Sequence, residues 1–273
     1  MFSDLELAKR LERTEASAGA AFIESRGTPS SWIEIAGAYA MFDGIDSPLS
    51  QTFGLGMFEP ATIDTLTEIE EFFQCRGAAV QHEVCPLAGV ALSSSLAERG
   101  YLPCEMSNVL YLQLPEAGTS LMPAGEMSVQ VANPEDLPEY AAAAQAGWSE
   151  EGEVAHLIAE LARVMFAAKG YVGFMVRKNQ RTIATAGLVI YDGVALLAGA
   201  STVPGARGQG AQRLVLAARL HYAAAAGCDL AMFVAEPGSA SQRNAERSGF
   251  HIAYTRTKWL STKEQVRNQA YKT

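Results

Sequence analysis

The segment Val203-Pro204-Gly205-Ala206-Arg207-Gly208-Gln209-Gly210-Ala211-Gln212-Arg213-Leu214-Val215 carries the strongest chemical signal in the chain. It is a glycine-containing turn between a β-type run and a long helical pattern. Such a joint aims several backbone N–H groups at one point, backed by the positive end of the helix dipole, and its glycines let a phosphate come close to the backbone. A pyrophosphate cradle is the chemistry this suits. The spacing is not G-x-G-x-x-G, and no Lys-Ser or Lys-Thr follows, so dinucleotide and nucleoside triphosphate sites fit less well. A glycine-rich helix start with no ligand is the competing reading. Glu150, Glu151 and Glu153 open an earlier helix, where acids are favoured by the positive end of the helix dipole. His82, His156, His221 and His251 are scattered without metal spacing, and no Ser or Cys sits in a nucleophile elbow, so no metal is expected. The four cysteines lack a C-x-x-C pair, which predicts reduced, mostly buried thiols.

The elements around that segment set its position. Met127 to Ala132 alternates like a strand, Asn133-Pro134-Glu135-Asp136 starts a helix to about Ala146, and a second helix over Glu153 to Lys169 has apolar residues at 154, 157, 158, 161, 164 and 165. Three β-type runs follow, Tyr171 to Arg177, Thr182 to Tyr191 and Val194 to Val203, with Lys178-Asn179-Gln180 and Asp192-Gly193 as turns. They form an antiparallel meander. A helix from about Gly208 to Ala226, an apolar strand over Asp229 to Ala235, a short helix around Ser239 to Ser248 and a strand over Phe250 to Leu260 complete the series. The first half repeats part of this order: strands over Trp32 to Phe42 and Phe53 to Phe58, a helix over Ile63 to Arg76, a strand over Val80 to Val84, a helix over Ala88 to Arg99 and a strand over Met106 to Leu114. A diverged tandem repeat accounts for that succession.

With 273 residues, 49% of them apolar, the chain can bury one large core or two smaller ones. No apolar run reaches the roughly 18 residues of a membrane span. The opening Met1-Phe2-Ser3-Asp4-Leu5-Glu6 has none of the marks of an export signal, so a cytoplasmic location is expected. A net charge of −9 opposes contact with nucleic acid or anionic lipid. That charge is uneven along the sequence: residues 1–126 hold 6 Lys and Arg against 18 Asp and Glu, and residues 127–273 hold 15 against 12. Between the halves, residues 115–126 combine prolines, glycines and small polar residues without periodicity and read as a linker.

From Met127 to Leu260 the chain resembles the GNAT acyltransferase superfamily, in which R/Q-x-x-G-x-G/A joins the fourth strand to a long helix and binds the pyrophosphate of acetyl-CoA. Arg207, Gly208, Gln209, Gly210 and Ala211 match its first five places, and Gln212 replaces the last small residue. The resemblance implies an α/β fold of two GNAT-like mixed-sheet domains in tandem, each a central, mostly antiparallel sheet flanked by helices. Residues 1–114 would form a degenerate domain and residues 127–273 the acetyl-CoA-binding N-acetyltransferase domain. It further implies acetyl-CoA as co-substrate, held by Val203, Arg207, Gly208, Gln209, Gly210, Ala211, Gln212 and Asn244. A backbone N–H near Ala200 to Val203 would polarise the thioester carbonyl.

Many relatives place a tyrosine four residues before the glycine that ends the short helix; here that position is Ala245. Tyr254 is the nearest substitute as general acid. The resemblance also places Glu150, Glu151 and Glu153 at the border of the acceptor site, as candidates for a general base beside their plainer role at a helix N-terminus. The first half lacks the cradle: Phe58-Glu59-Pro60-Ala61-Thr62 offers an acid where phosphate would sit. The implied activity is acetyl transfer to the amine of a small molecule by direct attack, with oligomeric state open. The other implied reading is a non-catalytic acyl-CoA sensor or partner-binding module. If the basic half holds the anionic cofactor, the acidic half suits a cationic amine.

Overall fold

The computed structural model describes residues 3–115 and 126–262, so most of the expected linker lies outside the described residues. The chain forms two compact units, one made of Met1–Leu112 with Phe233–Thr273 and the other of Gln113–Met232. The first change of unit falls beside the expected linker. The second, at Phe233, returns the chain to the first unit.

Unit one begins with α1 (Leu5–Arg26), whose N-cap Asp4 accepts from the Leu7 amide at 2.9 Å. No element was expected over these residues. The reason is that α1 is buried on several sides, at Leu7, Leu11, Thr14, Ala16, Ala18 and Phe22 among others, so no single 3.6-residue stripe marks it. The run expected as one strand from Trp32 to Phe42 is a hairpin of β1 (Ser31–Ile35) and β2 (Ala38–Phe42). Its two-residue turn has positive φ at both Ala36 and Gly37, the I′ pattern, which the alanine concealed.

Next come β3 (Gln51–Phe53), α2 (Ile63–Gln74), β4 (Gln81–Val84), α3 (Val90–Glu98) and β5 (Tyr101–Gln113). Of the strand expected over residues 53–58 only Phe53 lies in β3, and residues 54–58 turn away from the sheet with positive φ at Gly54 and Gly56. β3 and β4 run parallel, with Thr52 opposite His82. Ile35, Phe42, Leu66, Ile69, Phe73 and Leu96 form the core between the sheet and its helices.

The sheet of unit one is completed by the end of the chain. α7 (Ala240–Arg247) leads to β11 (His251–Ser261), which pairs antiparallel with β4 on one side and β5 on the other. β11 carries Arg256, 2% exposed, into a buried acidic nest. Its guanidinium meets Glu15 at 2.7 and 3.0 Å, Glu83 at 2.9 Å and Glu12 at 3.5 Å, and stacks over Phe53. Removing one partner of such a buried network leaves uncompensated charge, so this cluster commits β11 to its place.

Unit two has the order β6 (Met127–Val131), α4 (Leu137–Ala146), α5 (Glu153–Ala167), β7 (Tyr171–Lys178), β8 (Arg181–Tyr191), β9 (Val194–Thr202), α6 (Ala211–Ala225) and the first residues of β10 (Leu230–Ala235). β6 to β9 form the expected antiparallel meander. β10 joins it parallel, Leu230–Met232 beside Val194–Leu196. Tyr140 and Met175 pack with Ala141, Ala144 and Ala162 in a core under α4 and α5. The succession β-β-β-α-β-α-β over residues 31–113 recurs over residues 171–261, as expected of a tandem repeat.

Among the described residues no helix is long and apolar enough to cross a membrane, and none of their His, Cys, Asp and Glu side chains cluster as metal ligands. All four cysteines are free. Only Cys85 and Cys228 are buried, whereas Cys75 and Cys104 stand exposed, a correction to the expectation of mostly buried thiols.

Candidate functional site

The joint between β9 and α6 is built as an open helix N-terminus. Pro204–Ala206 make one short turn, after which Gly208 and Gly210 take φ of +75° and +88°. These values bend the chain so that α6 starts at Ala211 with Gly210 as its cap. Gly210 offers no side-chain acceptor, so the first amides of α6 are left for a ligand or water. A Cβ built on Gly208 or Gly210 meets nothing within 4 Å. The glycines therefore face open space, as a cradle for a bulky anion requires. No acid occurs in the first turn.

The side chains of this joint are held in specific ways. Arg207 donates to Glu150 at 2.6 Å and to the Gly147 carbonyl at 2.8 Å. Glu150, one of the three expected base candidates, is thereby a salt-bridge partner of the motif arginine. Gln209 accepts from Lys178 at 3.1 Å, which brings a cation at the end of β7 to the cradle. Spacing gave no sign of Lys178, which lies 31 residues from Gln209 in sequence. Gln212 donates to the Ser201 carbonyl at 3.2 Å and to Thr202 Oγ1 at 2.5 Å. Its side chain thus ties the first turn of α6 back to β9, where the small residue of the motif would leave that bond unmade. Val203 follows β9 directly and donates its amide to the Ile183 carbonyl.

β9 itself carries an irregularity. Thr185 lies opposite Ser201 and Gly187 opposite Ala198, so Gly199 and Ala200 together face the single residue Ala186. This is a bulge, and both residues are exposed. It falls at the edge of the stretch where a carbonyl-polarising amide was expected. A glycine inside an otherwise regular strand was the sequence signal for it.

Two expected site residues belong to unit one. Asn244 is exposed on α7, its side-chain oxygen 3.5 Å from Arg247. Tyr254 is 7% exposed, and its hydroxyl donates to Glu12 at 2.8 Å. Burial and the neighbouring Glu12 carboxylate hold its proton well above the usual phenol range. A tyrosine so engaged gives up its proton less readily than a free phenol. Ala245 is buried in the short helix.

The charge contrast also changes when counted by compact unit. Unit one holds 13 Lys and Arg against 19 Asp and Glu, and unit two holds 8 against 11. Both are acidic. The basic character of the second half came from residues 233–273, which belong to unit one.

A meander followed by a parallel strand, with a glycine-rich joint opening onto a long helix, defines an α/β domain with a mixed sheet. Residues 137–250 match the model of the acetyltransferase (GNAT) family. A GCN5-related N-acetyltransferase from Kribbella flavida matches with a TM-score of 0.65 and 20% identity, over 90% of this chain and 95% of that one. A tandem GNAT protein from the clavulanic acid biosynthesis pathway, solved without AcCoA, matches at 0.58 and 12%, over 96% of each. A GCN5-related N-acetyltransferase from Sphaerobacter thermophilus matches at 0.56 and 15%, over 82% of this chain and 76% of that one. These likenesses establish the tandem GNAT fold. No curated protein matches the sequence.

Proposed function

We propose that the protein moves an acetyl group from acetyl-CoA to the amine of a small molecule. The observation that carries this reading is the uncapped start of α6, with Gly208 and Gly210 facing open space inside a GNAT domain. Amides from Gly208 to Gln212 would take the CoA pyrophosphate, with Lys178 and Arg207 supplying nearby positive charge. The exposed bulge at Gly199–Ala200 would present backbone N–H to the thioester carbonyl. A neutral amine attacks that carbonyl, its π electron pair moves to oxygen, and collapse breaks the C–S bond.

The leaving thiol has a pKa of about 8.5, so the thiolate departs without a strong acid and takes its proton from water. This dispenses with Tyr254. The amine proton likewise goes to water, since Glu150 is held by Arg207. Isothermal titration with acetyl-CoA tests the cofactor reading, and no binding at millimolar ligand overturns it.

A second reading, a non-catalytic acyl-CoA sensor or partner-binding module, is favoured by two features: Ala245 is buried where relatives place a tyrosine, and Tyr254 is occupied by Glu12. Thiol release across an amine library separates the two. Turnover with any acceptor removes the purely sensory one.

A further inference from the structure

Unit two contains a buried cation that no carboxylate answers among the described residues. Arg219 lies on the inner face of α6 and is 4% exposed. One terminal nitrogen donates to the Gly187 carbonyl at 3.1 Å, and among the described residues its Nε has no partner. The titratable neighbours beside it are the phenols of Tyr171 and Tyr140, and burial pushes its pKa down to about 10. It remains protonated near neutral pH. A buried, unanswered charge is strongly unfavourable. Arg256 in unit one shows the usual remedy, with three glutamates around it.

The place of Arg219 gives the charge a use. Gly187 sits on β8 at the point where Gly199 and Ala200 bulge out of β9. The carbonyl that Arg219 holds is therefore next to the irregularity. Over the same spot lies Tyr171, whose hydroxyl would be struck by a Cβ on Gly187 and lies 3.3 Å from one built on Gly199. Tyr171 and Tyr140 share a hydrogen bond at 2.8 Å. Burial raises both phenols, Tyr140 to about 12 and Tyr171 well above its usual value, so neither supplies a negative charge. A glutamine would satisfy one carbonyl equally well, so the carbonyl alone does not explain an arginine.

We propose that Arg219 is a positioning residue for acyl transfer: it fixes the β9 bulge through Gly187 and supplies a buried positive field where the thioester oxygen becomes an oxyanion. This rests on the acetyl-transfer reading above. Arg219 touches neither substrate nor cofactor in this scheme. Amine attack forms the C–N bond and places the carbonyl electron pair on oxygen; collapse returns that pair, the thiolate leaves, and the amine proton passes to water. The field acts on the step in which charge gathers on oxygen, where preorganised charge is most effective.

The test uses the full chain with acetyl-CoA labelled with carbon-13 at the thioester carbonyl. In wild type, the carbonyl stretch of the bound cofactor falls below that of free acetyl-CoA in difference infrared spectra. R219Q, which keeps a donor and loses the charge, returns the stretch most of the way while acetyl-CoA Kd stays within about threefold. R219K, which keeps the charge, retains most of the shift. With an acceptor that turns over, R219Q lowers kcat about 10- to 100-fold with KM for acetyl-CoA unchanged.

An unshifted carbonyl in wild type, an equal shift in R219Q, or R219K behaving like R219Q each overturns the proposal. If R219Q does not fold, wild type against R219K carries the comparison, and loss of the shift in R219K is decisive against it. Failure of wild type to bind acetyl-CoA defeats the acetyl-transfer reading itself. Binding without a carbonyl shift defeats only the role of Arg219.

Discussion

The two halves of the chain each contain a strand-to-helix joint after the third strand of their meander, and the two joints are finished differently. At the start of α6 the cap is a glycine without a side-chain acceptor, and the glycines face open space. At the start of α2 the corresponding groups are already occupied. Thr62 caps the helix by accepting from the Thr65 amide, Asp64 lies in the first turn, and Glu59 stands just upstream. Its glycines face side chains instead: a Cβ on Gly54 would lie 2.9 Å from Phe58, and one on Gly56 would lie 3.1 Å from Leu92. Arg13 closes over Phe58, 4.0 Å from the ring centroid. One joint is thus left open, and the other is filled by the protein's own groups. The same backbone plan leaves room for a ligand only where side chains withdraw from it.

The sharpest way to break this comparison is charge at the open joint. G210D should weaken acetyl-CoA binding at least about 100-fold, close to 3 kcal/mol, because a carboxylate then faces the pyrophosphate. G210N, of equal size and tolerant of positive φ, should lose under about tenfold. Equal losses in titration calorimetry would mean that shape and not charge governs the site.

The parallel strands beside the joints differ as well. β10 is apolar over Leu230–Met232, whereas β4 buries His82, with neither ring nitrogen hydrogen-bonded among the described residues. Burial depresses the His82 pKa to about 4, so the unfolded chain takes up its proton first as pH falls. Its stabilising share is complete above about pH 6.5 and is lost toward pH 4, at most about 3 kcal/mol. Glu12 acts in the opposite direction. Burial raises it to about 6, so its share is complete below about pH 4.5 and is lost as pH rises through 6. H82Q should flatten the acid-side decline relative to wild type, read by hydrogen exchange of β4 and β11 amides. An unchanged slope would show that His82 is not the group responsible.

Smaller effects sharpen the contrast. G56A should lower unit-one stability by about 2 kcal/mol, through positive φ and contact with Leu92, while acetyl-CoA affinity stays within about twofold. T62A should cost about 1 kcal/mol by uncapping α2. It should not create acetyl-CoA binding, because Asp64 and Glu59 remain. A new binding event in titration of T62A against an otherwise blocked α6 joint would show that capping alone silences the first half.

Much of this was legible in the sequence where local rules act alone. The meander of residues 171–202, the helix stops at Gly227 and Gly249, and the glycines before α6 all follow from turn chemistry and period. Three features were not legible, each for a physical reason. α1 is enclosed on several sides and shows no stripe. The Ala36-Gly37 turn uses an alanine at positive φ. The destination of β11 depends on the buried partners of Arg256, which come from α1 and β4, more than 170 positions earlier. At the candidate site, Arg207 to Gln212 could be read from their motif, whereas Lys178, the Glu150 pairing and Arg219 depend on distant neighbours.

The placement of β11 between β4 and β5 also sets a timetable for biosynthesis. Those two strands are complete once residue 113 has been made, yet the strand that belongs between them comes about 140 residues later. At synthesis rates of ~5–20 residues per second, the interval is on the order of ten to thirty seconds. During it β4 and β5 both lack the strand that lies between them, and their open edges are the state most prone to wrong pairing with another chain. The first unit to be started is the last to be finished, so chaperone protection matters most for the half of the sequence that leaves the ribosome first.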